Sequence, residues 1–189
     1  MNPVLEAALE IQGFLERQGW QFCVIGGLAV ARWGQPRTTQ DIDVTLLTDP
    51  GQEEPYITEL LLHFAPRLSD AADFARANRV LLIRAANGVP IDVALGGIAF
   101  ERLATERATR FEFESGVQVV TCSAEDLVVM KAFADRPRDW VDVEGVLVRQ
   151  GTDFDWEYVL NQLGPLTELK EAPHIMNRLQ QLRKDSNGP

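Results

Sequence analysis

VIGGLAVARWGQPRTTQDIDV, residues 24–44, decides how the chain reads. A short apolar run ends in Gly26 and Gly27, and further on Asp41 and Asp43 alternate with Ile42 and Val44. Aspartate is disfavoured in strands, so two in one strand-like run need a reason. Side chains at i and i+2 of a strand share a face. Asp41 and Asp43 are therefore expected to project together, with Ile42 and Val44 turned to the core. Two adjacent carboxylates repel unless something positive sits between them. A hard divalent cation answers that need, and magnesium typically takes one or two carboxylates and completes its shell with water and substrate phosphate. The glycines fall where a strand hands over to a helix. Lacking Cβ atoms, they let a group approach the backbone closely, and the start of a helix suits an anion.

A third acid extends the pattern. Asp92, in VPIDVAL, again sits between apolar strand residues, Ile91 and Val93. If its strand lies beside that of Asp41 and Asp43, three carboxylates converge, enough to hold two metal ions for in-line phosphoryl-type displacement. Singly, each feature has an ordinary explanation: a D-x-D on a solvated edge, a G-G in a turn, an aspartate capping a turn or meeting an arginine. In this order and context they describe a nucleoside triphosphate site, for ATP or another NTP.

Outward from that stretch the hydrophobic pattern alternates between helix and strand. Helical spacing covers residues 3–18, with Gly19 ending it. QFCVIG (21–26) reads as a buried strand, GLAVARWG (27–34) as a helix starting at the glycines, and DIDVTLL (41–47) as a strand. EEPYITELLLHFAP (53–66) is helical. Residues 79–95 read as two strands joined through Asn87-Gly88, a strong hairpin signal. AFERLATERA (99–108) is helical, and RFEFESGVQVVT (110–121) is a second hairpin turning at Ser115-Gly116. Beyond Ser123, positioned as an N-cap with acids in the first turn, helical patterns cover 123–134, 136–150, 155–163 and 171–184. A polar end, RKDSNGP, reads as frayed. The expectation is an α+β fold with a small mixed sheet flanked by helices in residues 1–122, and a helical region, 123–189, packed against it.

The bulk numbers are compatible with this. At 189 residues the chain can bury a real core. Hydrophobic residues are 46% and charged residues 24%, ordinary for a globular protein. No apolar run has the length of a membrane span, and the N-terminal stretch lacks a signal-peptide pattern. Cys23 and Cys122 read as small buried hydrophobes and not as a disulfide framework. A reduced, cytoplasmic protein is expected. The formal charge of -10 argues against a protein that simply coats nucleic acid. It leaves room for a carboxylate site that handles phosphates through metal ions.

The ordered set GG at 26–27, DID at 41–43 and IDV around Asp92 resembles the nucleotidyltransferase superfamily, with the polymerase-beta-like fold, over most of residues 20–95. Within it the chain looks most like AbiEii-type toxins and related small bacterial nucleotidyltransferase-like proteins. The features that carry this are GG in place of GS, RTTQDIDV with Arg37, and EDLVVMKAFADRPRDWVDV. In the last stretch Glu125, Asp126, Lys131, Arg136, Arg138, Asp139 and Asp142 match the group's helical motif. The resemblance implies that Asp41, Asp43 and Asp92 bind two Mg2+ ions and that Asp92 is general base. It also implies that Gly26, Gly27 and Arg37 hold the NTP phosphates, that Lys131 contacts nucleotide phosphate, and that Asp139 and Asp142 line the cleft. The alternative for the helical motif is a surface helix with Asp139 capping the turn after Pro137. Trp140, Val143 and Leu147 would then form its core stripe. For Arg37 the alternative is a pair with Asp41.

The activity so implied is transfer of a nucleoside monophosphate from an NTP to an acceptor hydroxyl. The AbiEii likeness suggests tRNA or another RNA as acceptor and a toxin held by a separate antitoxin. Arg136, Arg138, Arg178, Arg183 and Lys184 could form a local basic patch for such a partner. A small-molecule or protein acceptor is the rival within the enzyme class. A catalytically inactive nucleotide- or partner-binding module, or a structural domain with a chance D-x-D, is the rival outside it. His63 and His174 read as structural or exposed, and Trp20 and Trp33 as core.

Overall fold

A computed structural model of the chain describes residues 2–186. It divides into two compact units, Met1–Leu28 with Thr38–Cys122, and Ala29–Arg37 with Ser123–Pro189.

The first unit is built on a seven-stranded mixed sheet. In chain order its strands are β1 (Phe22–Val24), β2 (Ile42–Leu47), β3 (Ala65–Pro66), β4 (Val80–Arg84), β5 (Pro90–Gly96), β6 (Thr109–Glu114) and β7 (Val117–Thr121). Their spatial order is β3-β4-β5-β2-β1-β7-β6. β2 pairs with β5 in parallel and with β1 antiparallel, so the strand that follows the quoted stretch lies inside the sheet. The period of two sorts its faces. Ile42, Val44 and Leu46 of β2 and Ile91, Val93 and Leu95 of β5 are at most 2% exposed, while Asp43 and Asp92 take the opposite face. Each such aliphatic side chain contributes about 1.5–3 kcal/mol on burial. α1 (Pro3–Arg17) adds Val4, Ala8, Ile11 and Leu15 to the same core. Its start is capped by Asn2, whose Oδ1 accepts the Val4 N–H at 2.9 Å. α3 (Glu54–His63), α4 (Ala71–Asn78) and α5 (Ala99–Glu106) complete the unit, α4 packing on β4 and α5 on β2 and β1. The second hairpin turns at Ser115-Gly116 as expected. In the first, the Gly88 N–H donates to the Ala85 carbonyl at 2.9 Å, so the turn falls on Ala86-Asn87, one residue earlier than expected, and Gly88 follows it at φ +85°.

α2 (Gly26–Trp33) begins in this unit, and its residues from Ala29 belong to the second. There α6 (Ala124–Ala134) packs against α7 (Pro137–Gln150), α8 (Trp156–Leu169) and α9 (Pro173–Ser186). Ser123 is the N-cap of α6: its hydroxyl accepts the Asp126 N–H at 3.1 Å and donates to Asp126 Oδ2 at 2.7 Å. Trp140 is fully buried.

Several expectations are corrected. β2 starts at Ile42, so Asp41 stands just before the strand. The helix expected over 53–66 stops at His63, because Phe64 is already extended and Ala65 and Pro66 pair with Arg84 and Ile83. Residues 71–78, too short a stretch to show a clear helical period, form α4, which Arg79 ends in a left-handed conformation at φ 55°. α8 continues past residue 163 to Leu169 with Pro165 inside it. Trp20 and Trp33 are only half-buried. The polar end is helical through Ser186, and residues 187–189 lie outside the described residues. Cys23 and Cys122 are buried thiols. Among the described residues no helix is long and apolar enough to cross a membrane.

Candidate functional site

The conformation of Gly26 sets the geometry of the acids in the first unit. Its φ is +59°, a left-handed value that L side chains rarely adopt. A Cβ there would lie 1.8 Å from Asp43 Oδ2 and 2.6 Å from its carboxyl carbon. The carboxylate of Asp43 therefore rests on the bare backbone at the start of α2. The Ile25 N–H, donating to the Asp43 carbonyl at 2.9 Å, ties the two segments together. Gly27 repeats the arrangement with a different partner: its missing Cβ would fall 2.3 Å from Thr39 Oγ1 and 2.6 Å from Thr39 Cβ. Thr39 Oγ1 in turn donates to Asp41 Oδ1 at 2.9 Å. Each glycine thus makes room for one arm of the acidic stretch. Close approach to a phosphate was the reason the sequence suggested for the glycine pair; close approach to Asp43 and Thr39 already requires it.

Asp92 enters from β5. Asp43 and Asp92 are register partners in the parallel β2–β5 ladder, so their carboxylates stand side by side on one face. Arg67, directly after β3, donates from Nη1 to Asp92 Oδ1. Sequence reasoning missed Arg67. It lies 25 residues from its partner in a stretch without periodicity, and no local signal marks it.

The remaining expected residues gather in the second unit. Arg37 donates from Nε and Nη2 to the two carboxylate oxygens of Asp142, at 3.0 and 3.1 Å. Lys131 Nζ lies 2.7 Å from Asp139 Oδ1 and 2.9 Å from Asp142 Oδ2. Arg136 Nε reaches Asp139 Oδ2 at 2.5 Å. Asp139 and Asp142, three apart on α7, do share a face, and that face is turned inward: their side chains are 3% and 4% exposed, and Lys131 is 10% exposed. For Asp139, burial raises the carboxyl pKa, but the hydrogen bonds from Arg136 and Lys131 outweigh it and the net shift is downward. Asp142 is likewise raised by burial and more strongly lowered by Arg37 and Lys131. Arg37 thus pairs with Asp142, not with Asp41. Asp126 is also buried, accepting from Ser123 and, at 2.6 Å, from the Tyr158 hydroxyl. His174 Nε2 sits 2.7 Å from Asp135 Oδ2, and in the first unit the His63 ring meets that of Phe14 at a tilt of 52°. In the expected basic patch, Arg178 lies over the Trp140 ring, Arg183 over Trp156, and Arg136 is drawn to Asp139.

Among the described residues no group of three or more His, Cys, Asp or Glu is arranged to hold a metal ion. Asp43 and Asp92 nevertheless supply paired hard oxygens, and the bare backbone of Gly26 is the cradle that seats one of them. That donor chemistry fits magnesium, which asks for one or two carboxylates and not for an all-protein cage.

Comparison with known proteins places the chain. No curated protein matches it. Among solved structures it is similar to the antibiotic-resistance factor ANT(2'')-Ia, with a TM-score of 0.57 and 15% identity over 92% of this chain and 96% of that one. It is also similar to an antigenic nucleotidyltransferase-like protein from Paracoccidioides brasiliensis, with a TM-score of 0.51 and 15% identity over 90% of this chain and 92% of that one. The lincosamide antibiotic adenylyltransferase LnuA, solved with lincomycin bound, gives a TM-score of 0.50 and 13% identity over 75% of this chain and 94% of that one. At such identities the likeness is one of fold: a mixed sheet flanked by helices. The family itself is shown by sequence. The model described as "Nucleotidyltransferase of unknown function (DUF6036)" matches residues 4–171, and the chain belongs to that nucleotidyltransferase family.

Proposed function

We propose that the protein transfers a nucleoside monophosphate from an NTP to the hydroxyl of a small-molecule acceptor, in a magnesium-dependent reaction. The observation that carries the reading is the register pairing of Asp43 with Asp92, with Asp43 seated on Gly26 at the start of α2. Asp43 and Asp92 would hold the magnesium, which when bound supplies stabilisation of charge on the attacking and leaving oxygens. Asp92, on the open face of the sheet, takes the proton of the acceptor hydroxyl as general base. The hydroxyl oxygen attacks the α-phosphorus, the bond to the β-phosphate oxygen breaks, and pyrophosphate leaves with its electron pair. The start of α2, where the helix dipole and N–H groups suit an anion, takes the triphosphate. Lys131, Arg37 and Asp139 serve in this reading as the ion network that ties α6, α7 and residue 37 together.

Two observations favour a small acceptor. The formal charge is -10, and three of the five residues of the expected basic patch are engaged on aromatic rings or a carboxylate within their own unit. Similar folds include adenylyltransferases of antibiotics. A second reading keeps tRNA as acceptor and a toxin role with a cognate antitoxin, and rests on the RTTQDIDV and EDLVVMKAFADRPRDWVDV motifs. One experiment separates them. The protein is incubated with magnesium, each common NTP labelled at the α-phosphate, and either total RNA or a panel of hydroxylated small molecules including aminoglycosides and lincosamides. Label on a small molecule supports the first reading and label on tRNA the second. Label on neither, with no pyrophosphate released, would sink both.

A further inference from the structure

The ion pair between Arg67 and Asp92 has no place in the chemistry above, and it bears directly on it. Asp43 and Asp92 are register partners on adjacent strands, whose spacing is about 4.8 Å. Two carboxylates that close repel one another. The chain meets this repulsion with a cation of its own. Arg67 Nη1 donates to Asp92 Oδ1, and the two side chains are 26% and 36% exposed. The Arg67 backbone is fixed, its N–H donating to the Leu82 carbonyl at 3.0 Å beside the short edge strand β3. Its side chain borders solvent, so it can leave Asp92 without unfolding the sheet.

We propose that Arg67 is a built-in counter-cation: it neutralises Asp92 while the site holds no metal and is displaced when a divalent cation enters. It is a positioning residue that acts through Asp92. The inference rests on the reading that Asp43 and Asp92 hold the metal. An entering cation must take the place of the guanidinium, so the protein without nucleotide binds cations more weakly than the same carboxylate pair would without Arg67. A single charge yields to a double one, and most readily when the cation arrives with a triphosphate that adds ligands of its own. The device keeps the acids ordered at rest and makes cation entry depend on the nucleotide.

The test uses Mn2+ alone as probe, titrated by calorimetry into the nucleotide-free protein and into Arg67→Met, Arg67→Gln, Arg67→Lys and Asp92→Asn. Removing the competing charge is expected to tighten Mn2+ binding at least about tenfold in the Met and Gln variants. Arg67→Lys, which keeps the charge, stays within about threefold of the natural protein. Asp92→Asn loses the site. A merely structural arginine would leave affinity unchanged or weaken it on removal. Equal or weaker binding by Arg67→Met and Arg67→Gln, with the natural protein binding and Asp92→Asn not, overturns the role of Arg67 alone. Absence of Mn2+ binding in the natural protein and in both neutral variants overturns the metal reading itself. Binding that appears only once Arg67 is neutral upholds the proposal.

Discussion

Replacing Gly26 with alanine tests the local argument most sharply, because two separate penalties meet at one atom. The first is conformational. At φ +59° an L residue pays about 1–2 kcal/mol. The second is steric. The new Cβ would overlap Asp43, with Oδ2 at 1.8 Å, the carboxyl carbon at 2.6 Å and Cβ at 2.8 Å. Forcing atoms into a filled space costs about 1–3 kcal/mol. Gly26→Ala should therefore destabilise the protein by about 2–5 kcal/mol. The two penalties separate in a double-mutant cycle with Asp43→Gly, which removes all three overlapping atoms. Glycine weakens a strand by about 0.5–1 kcal/mol, but it does so in both backgrounds and cancels. In the Asp43→Gly background Gly26→Ala should cost only its conformational share, leaving a coupling of about 1–3 kcal/mol. The assay is urea denaturation of the four proteins, with the midpoint read at a shared m-value. Equal costs for Gly26→Ala in both backgrounds would refute the contact between Asp43 and the start of α2.

Other outcomes follow from the second unit. Lys131→Met removes the cation between Asp139 and Asp142 but leaves each with an arginine. The loss should be about 2–3 kcal/mol, under the 3–5 typical of a buried charge left alone, and urea midpoints read it. Stability should also depend on acid. The carboxyls of Asp139 and Asp142 titrate below their unfolded value of about 3.9. The unfolded chain then binds protons first as pH drops, so their contribution is full above about pH 5 and is lost as pH falls through the lowered folded values. Midpoints measured from pH 7 down to pH 3 should fall, and Asp142→Asn should flatten part of that fall. Ser123→Ala removes a cap and a donor to buried Asp126, for about 1–2 kcal/mol. A change within about 0.5 kcal/mol would contradict that account of the α6 start.

The parts of this architecture that could be read from the chain are those set by local period. DIDV and PIDV each announce a strand with one acid between aliphatics, and the register pairs them residue for residue, Asp43 with Asp92. The hairpins carry their own turn residues, and Ser123 carries its own cap. What stayed hidden depends on distance or on single backbone angles. Arg37 meets Asp142 across 105 residues, and nothing near RTTQ or VDVEG announces it. Arg67 follows a two-residue edge strand too short to show alternation. α4 is short, and its stop is a left-handed arginine where the rules look for glycine or asparagine. Gly26 and Gly27 were visible as glycines, but not that Asp43 and Thr39 fill the space over them. Lys131 shows the limit most clearly. Its place after LVVM indicates a side chain at the edge of an apolar face, while its two aspartate partners come from the next helix.

The central claim is that Asp43 and Asp92 form the metal-dependent nucleotide site of this family member. Its most direct test is equilibrium binding of each common NTP with and without magnesium, in the natural protein and in Asp43→Asn plus Asp92→Asn. The account predicts saturable, magnesium-dependent binding of at least one NTP that the double variant, folded by its thermal transition, loses by about a hundredfold or more. Undiminished magnesium-dependent binding in the double variant would contradict it.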